Sequence, residues 1–248
     1  MPERESIIND PDLTLDRHPS NVFTITLRKA PENRLNSTYC QRLILCFRRI
    51  EKLLGPNNPG AVITRGADNK FWCTGLELDE SDTNPHANSD GFYPLLATIL
   101  DFPYPTIACV TGHTFGGACP LALAHDYRIM NSERGFFCMP PVNLGLHFPG
   151  IGALARLKLE PRVARAVLLE AKRWTGREAL EDGIVDAIAR PEELEGKALE
   201  LAGLWAGKAE MGVYALLRNE LYGDAARMFR EISYVHGKRT DLPAKAKI

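Results

Sequence analysis

Thr111-Gly-His-Thr-Phe-Gly-Gly-Ala-Cys-Pro-Leu-Ala-Leu-Ala-His-Asp126 is the stretch on which the fold turns. The apolar run Pro105-Thr-Ile-Ala-Cys-Val110 leads into it as a buried strand, and the small, Ala/Leu-rich residues after Gly117 read as a buried helix. Gly116 and Gly117 permit a sharp turn and let the backbone come close to a ligand. The N–H groups at a helix start lack partners within the helix and favour negative charge. The stretch is therefore built to stabilise an anion, although ordinary α/β packing produces the same pattern.

Upstream lies a second strand that runs into a glycine, Phe71-Trp-Cys-Thr-Gly-Leu-Glu-Leu78. Junctions at Gly75 and Gly117 fit a site at the carboxyl ends of neighbouring strands. Further toward the N-terminus, Asp12 to Asp16 and Val22 to Leu27 alternate around the turn residues His18-Pro-Ser-Asn21, which predicts a hairpin. Asn36 or Ser37 can cap a helix over 38–54, where Leu43, Ile44, Phe47, Ile50 and Leu54 recur at helical spacing. Ala61 to Thr64 reads as a short buried strand, and the acidic, polar residues 79–90 as a mobile surface loop and potential lid. A helix is expected over 92–100.

Downstream, Tyr127 to Met130 and Phe136 to Met139 read as strands, and Pro140 to Gly150 as a rigid loop or bend. Helices then dominate. One spans 163–172, and one opens on the capping-box pattern Thr175-Gly-Arg-Glu178 and closes at Gly183. An amphipathic helix covers 192–208, and a helical tail follows over 214–222 and 225–234. Strands alternating with helices, then a block of helices, predict a parallel-rich α/β core over 1–190 and a helical region over 191–248.

Composition narrows the function. A chain of 248 residues with 45% hydrophobic and 25% charged residues suits a soluble globular protein, and a net charge of −1 argues against nucleic-acid or membrane-surface partners. A small molecule is the expected partner. The six cysteines, Cys40, Cys46, Cys73, Cys109, Cys119 and Cys138, form no Cys-x-x-Cys pair and sit mostly in apolar runs, so buried thiols are expected and neither disulfides nor zinc. The first residues do not resemble a signal peptide, and no apolar run reaches membrane-spanning length.

The chain resembles the enoyl-CoA hydratase/isomerase (crotonase) superfamily from about Phe23 to Val185. Four segments carry the resemblance: Asn33-Arg-Leu-Asn36; Trp72-Cys-Thr-Gly-Leu-Glu-Leu78; Gly112-His-Thr-Phe-Gly-Gly-Ala-Cys-Pro-Leu-Ala122; and Thr175-Gly-Arg-Glu-Ala-Leu-Glu-Asp-Gly-Ile-Val185. Each is weak alone, and their order and spacing make them specific. The resemblance implies an α/β, crotonase-like spiral of ββα units with a helical C-terminal trimerisation region, assembled as a homotrimer or dimer of trimers. It implies an acyl-CoA substrate, and no cofactor beyond the coenzyme A thioester that the substrate carries. The Leu76 and Gly117 N–H groups would form an oxyanion hole for the thioester carbonyl. Coenzyme A would lie along Ala30, Thr74 and Leu76, with Arg28 and Lys29 near its phosphates.

The departure lies in the acid and base. Hydratases of the family place glutamates where this chain has Pro120 and Pro141, and isomerases commonly keep the second. Proline carries no proton. Pro120 is at ease in the first turn of a helix, where no N–H partner is needed. The segment from Phe136 to Gly150 most resembles the isomerase branch of plants and fungi. Within it His147 titrates near neutral pH, and Asn143 and Cys138 are the other polar candidates. His113, His125, Glu77, Asp79 and Glu80 are further titratable groups near the two motifs, and Asp126 reads as structural.

Three readings stand: a Δ3-Δ2-enoyl-CoA isomerase-like enzyme, a hydratase-like enzyme with a different acid and base, and an acyl-CoA binder without catalysis. The tail Ala244-Lys-Ala-Lys-Ile248 loosely resembles a peroxisomal address at Ala246-Lys247-Ile248, so the expected location is peroxisomal or cytoplasmic.

Overall fold

In the computed structural model, which describes residues 4–239, the chain opens with an antiparallel meander of β1 (Glu5–Asn9), β2 (Leu13–Arg17) and β3 (Val22–Leu27). The expected hairpin is β2–β3, closed where the His18 N–H donates to the Val22 carbonyl at 2.8 Å. β1 goes beyond expectation, because its residues are exposed or half-exposed and show no clean alternation. Helix α1 (Ser37–Leu54) starts where expected: the Asn36 side chain accepts the Tyr39 N–H at 2.8 Å, and Leu43, Ile44, Phe47, Ile50 and Leu54 are buried.

β4 (Ala61–Gly66) and β5 (Phe71–Cys73) follow, then α2 (Leu78–Thr83), a π-helical turn (Asn88–Phe92) and α3 (Tyr93–Leu100). The expected loop over 79–90 is thus largely helical. Its acidic residues are bound rather than solvated: the Glu80 carboxylate accepts the Ser37 backbone N–H at 2.9 Å and the Ser37 hydroxyl at 2.5 Å, capping the start of α1. That tie joins residues 43 apart in sequence and leaves no local pattern to read.

β6 (Thr106–Val110), β7 (His113–Phe115), α4 (Ala118–Ala124), β8 (Tyr127–Asn131) and β9 (Phe137–Cys138) complete the strand-rich part. Beyond them run α5 (Pro141–Leu144), α6 (Ala153–Lys158), α7 (Pro161–Arg165), which continues as a π-helical turn to Glu170, and α8 (Gly176–Glu181), whose capping box from Thr175 to Glu178 is formed. β10 (Ala187–Ala189), α9 (Leu194–Ala206) and α10 (Val213–Arg239) end the described chain. The two expected tail segments are one continuous helix. The address-like tail lies outside the described residues.

Among the described residues the strands form a seven-stranded sheet, in the order β1-β2-β3-β4-β6-β8-β10 and parallel from β3 onward, and a separate parallel sheet, β5-β7-β9. Helix α9 buries Leu194, Ala198, Ala202 and Ala206, a stripe at intervals of four, against Ile63, Ile107 and Ile129. A larger apolar cluster joins α1, α3 and α4 to the other side. All six cysteines are free and buried. No described helix is long and apolar enough to cross a membrane.

Two buried groups at the end of α4 hold the layers together. The Asp126 carboxylate accepts the Arg218 Nε at 2.7 Å, the Thr106 N–H at 2.9 Å and the Tyr214 hydroxyl at 3.2 Å, pinning α10 to the sheet. His125, fully buried, faces the Leu121 carbonyl with Nδ1 at 2.9 Å and the Thr64 hydroxyl with Nε2 at 3.0 Å. A carbonyl only accepts, so Nδ1 carries the proton and Nε2 receives the hydroxyl.

Burial is the main cause of a His125 pKa held down to about 4; Leu121 and Asp126 oppose it, while Arg218 and Arg128 add to it. The folded value lies below the unfolded one, so the unfolded chain binds more protons between them. Stability from this group is complete above about pH 6.5 and falls by roughly 1.4 kcal/mol per pH unit down to about pH 4. Urea unfolding at pH 7 and pH 5 should show that loss in the wild type and a shallower one in His125→Gln.

Candidate functional site

The three strands of the small sheet end side by side. β5 runs into Thr74-Gly75-Leu76, β7 into Gly116-Gly117 and β9 into Met139-Pro140-Pro141, with Cys73 opposite Thr114 and Phe115 opposite Cys138. The tertiary structure thus brings together the two glycine motifs and the segment that carries Pro141.

Gly75 has φ +93°, and a Cβ there would stand 2.7 Å from the Phe115 carbonyl oxygen and 2.9 Å from the Gly117 nitrogen. Backbone meets backbone at this point, so only glycine fits. On its far side the same segment forms a parallel bridge to Leu35: the Leu35 N–H donates to the Gly75 carbonyl at 2.7 Å and the Glu77 N–H to the Leu35 carbonyl at 2.8 Å. In that pattern the peptide groups of Leu76 itself point away from Leu35. Across the junction the Gly116 N–H donates to the Cys138 carbonyl at 3.0 Å, and Gly117 stands as N-cap of α4. Among the described residues, neither the Leu76 nor the Gly117 N–H has an acceptor. Two fixed, unused donors at adjacent strand ends are what a developing oxyanion requires.

The surroundings are apolar. A Cβ on Gly117 would meet Leu76 Cγ at 3.0 Å and Phe92 Cζ at 3.4 Å. Pro120 is buried in the first turn of α4, and Pro141 opens α5 with Pro140 as its N-cap. Asn143 and His147 are exposed, and their side chains bond to nothing among the described residues. Cys138 is packed away: its thiol donates to the Ala171 carbonyl at 3.4 Å, and burial raises its pKa against the opposing pull of Arg173. The His113 ring lies among Phe71, Phe115 and Phe136 at 5.3–5.7 Å, its pKa lowered by burial and by Arg134, Lys70 and Arg173.

The residues expected along coenzyme A lie near one another at the start of the chain's path into the site. Arg28 and Ala30 are exposed, with Arg28 Nη1 donating to Asn9 at 3.3 Å. Lys29 is engaged by the Glu77 carboxylate and by the Arg34 carbonyl at 2.9 Å. Burial works to raise the Glu77 pKa, but the bonds from Lys29 and Asn36 outweigh it, and the carboxyl stays below its usual range. Glu77 is therefore a tie between β5 and α1, and the Thr74 hydroxyl is likewise bonded to Glu32 at 2.9 Å. Sequence reasoning did not single out Leu35, Phe92 or Tyr93 for the site. Leu35 shows no motif at all, and Phe92-Tyr93 reads as the start of an apolar helix.

A family model for enoyl-CoA hydratase/isomerase matches residues 17–233 of the 248. The chain belongs to this family. Enoyl-CoA delta isomerase 2, peroxisomal, of Arabidopsis thaliana is 31% identical over 228 residues, covering 84% of this chain and 91% of that protein. Carnitinyl-CoA dehydratase of Proteus mirabilis is 30% identical over 219 residues, covering 86% of this chain and 81% of that protein. Human mitochondrial delta3-delta2-enoyl-CoA isomerase superposes with a TM-score of 0.79 over 92% of this chain and 93% of its own, at 19% identity. The fold is accordingly the crotonase-like α/β fold, and the protein is an enzyme of the enoyl-CoA hydratase/isomerase family.

The family's glycine pair gives a direct test of the backbone contact. Gly116 has φ +56° and open space beside it, so Gly116→Ala should cost about 1–2 kcal/mol, the strain of the left-handed region. Gly75→Ala adds overlap with Phe115 and Gly117 and should cost roughly 1–3 kcal/mol more. Urea unfolding of the two variants measures the difference.

Proposed function

We propose that this chain is a Δ3-Δ2-enoyl-CoA isomerase that binds an unsaturated acyl thioester and stabilises its dienolate between the Leu76 and Gly117 N–H groups. The observation that carries the reading is the pair of unused amide donors at the ends of β5 and β7. Taking a proton from carbon next to a thioester moves charge onto the carbonyl oxygen, and each preorganised donor aimed there lowers the barrier by about 3 kcal/mol. The coenzyme A moiety runs past Ala30 and Thr74, and the exposed Arg28, with Lys29 once released from Glu77, meets its phosphates. The similarity to an Arabidopsis protein named as an enoyl-CoA delta isomerase supports the choice of reaction.

Water addition requires one group to activate water and another to protonate carbon, whereas isomerisation needs a single proton shuttle. With Pro120 and Pro141 in the two acid–base positions, isomerisation asks less of this site. A dehydratase is the second reading, favoured by the Proteus relative, which is named as a carnitinyl-CoA dehydratase. Asn143 and His147 are the polar groups of the bend, but nothing orients them for transfer, so proton movement limits the rate. Incubation with a 3-enoyl-CoA should raise the absorbance of the conjugated 2-enoyl product slowly; no conversion at any chain length overturns the isomerase reading. Pro141→Glu, which puts a carboxylate at a helix start that tolerates it, should raise that rate by roughly 10²-fold or more.

The same proposal includes self-assembly. Leu204, Leu216, Leu217 and Leu221 are each at least 60% exposed on α9 and α10, an apolar surface of the kind that marks interfaces. A homotrimer or dimer of trimers covers it. Light scattering should give three or six times the 27.6 kDa chain mass, and a monomer overturns the assembly.

A further inference from the structure

Four buried side-chain polar atoms have no hydrogen-bond partner among the described residues, and one of them, the Tyr93 hydroxyl, belongs to a residue packed against the candidate site. Tyr93 is 1% exposed and follows Phe92, whose ring lies beside Gly117; the two ring centroids are 6.0 Å apart. Its other face stacks on Phe229 of α10 at 6.1 Å with the planes 15° apart, and Phe229 in turn lies beside Gly150, where a Cβ would be 3.4 Å from Phe229 Cε1. The tyrosine therefore stands between the glycine turn that carries the free Gly117 N–H and the bend that begins at Pro140. This is the side of the site left to the acyl chain once the thioester oxygen occupies the two amides.

An orphan hydroxyl in such a place is costly, and native structures seldom keep one without a reason. Water is a poor explanation, since a buried water needs two to four polar partners and Phe92 and Phe229 offer none. A hydrocarbon acyl chain would leave the hydroxyl as it is. An acyl chain with an oxygen at the right carbon would pair it. We infer that Tyr93 is a specificity-determining residue that selects acyl-CoA thioesters bearing a hydroxyl or carbonyl oxygen on the acyl chain. Burial also pushes its pKa up to about 12, so at neutral pH it acts as a hydrogen-bonding hydroxyl and removes no proton from substrate. A site with a buried partner for a substrate oxygen discriminates against the analogue that lacks it far better than an apolar pocket discriminates by size.

The inference rests on the acyl-CoA reading, and calorimetry with hexanoyl-CoA and its 3-, 4- and 5-hydroxy forms separates the two. The wild type should bind at least one hydroxy form tenfold or more tighter than hexanoyl-CoA. Tyr93→Phe, which keeps the ring stacked on Phe229, should bind hexanoyl-CoA as the wild type does and lose the preference. Unchanged hexanoyl-CoA binding also shows that the variant is folded. If no hydroxy form binds better, or if Tyr93→Phe keeps the preference, the assignment of Tyr93 is overturned while the acyl-CoA reading survives. If the wild type binds none of the four, the acyl-CoA reading itself fails and this inference with it.

Discussion

At Gly75 the main chain of one strand end touches the main chain of the next, with no room for even a methyl group between residue 75 and the Phe115 carbonyl. That contact sets the site. It turns the chain out of β5 in a conformation that side-chain-bearing residues avoid, and it brings Leu76 beside Gly117. The bridge from Leu35 then uses the peptide groups on either side of Leu76 and leaves its own N–H free. Two donors remain unpaired because every neighbouring donor and acceptor has already been claimed by the fold.

A second constraint acts from the opposite end of the chain. Asp126 and Arg218 are both almost fully buried, and the carboxylate collects donors from β6 and α10 together. Removing one member of such a pair strands the other charge in a low-dielectric interior, at a cost of about 3–5 kcal/mol. The pair therefore fixes where α10 lies. Because Phe229 rides on α10 and stacks on Tyr93, the position of that distant helix decides what stands against the glycine turn. Lys158 contributes to the same seam, with its Nζ 3.4 Å from the centroid of the Tyr222 ring.

The two prolines are chemically costly and structurally easy. Pro120 sits in the first turn of α4 and Pro141 at the first position of α5, where a missing N–H matters least. Helix geometry thus accepts proline at the positions that the family uses for proton transfer. Charge stabilisation comes from backbone and is untouched by the substitutions, because an N–H donor belongs to the main chain whatever side chain is nearby. Proton transfer needs a particular side chain and is lost with it. The site consequently separates the two halves of enolate chemistry.

Local pattern was enough for much of this protein. The capped helix after Asn36, the Thr175 capping box, the β2–β3 hairpin and the two strand-to-glycine junctions are short-range signals, and the structure forms each of them. The family too was legible, since its motifs are runs of adjacent residues. Other features arise between residues far apart in sequence. The acidic segment after Leu78 reads as solvated until Ser37 and Lys29 are brought to it, and the hydroxyl of Tyr93 is ordinary until Phe92 and Phe229 enclose it. The sequence by itself determined which backbone positions had to be glycine and which acid–base side chains were missing, because those depend on residue identity. Only the tertiary structure decided which N–H groups stay unpaired and which polar atom is left without water, because hydrogen-bond satisfaction depends on everything packed around a group.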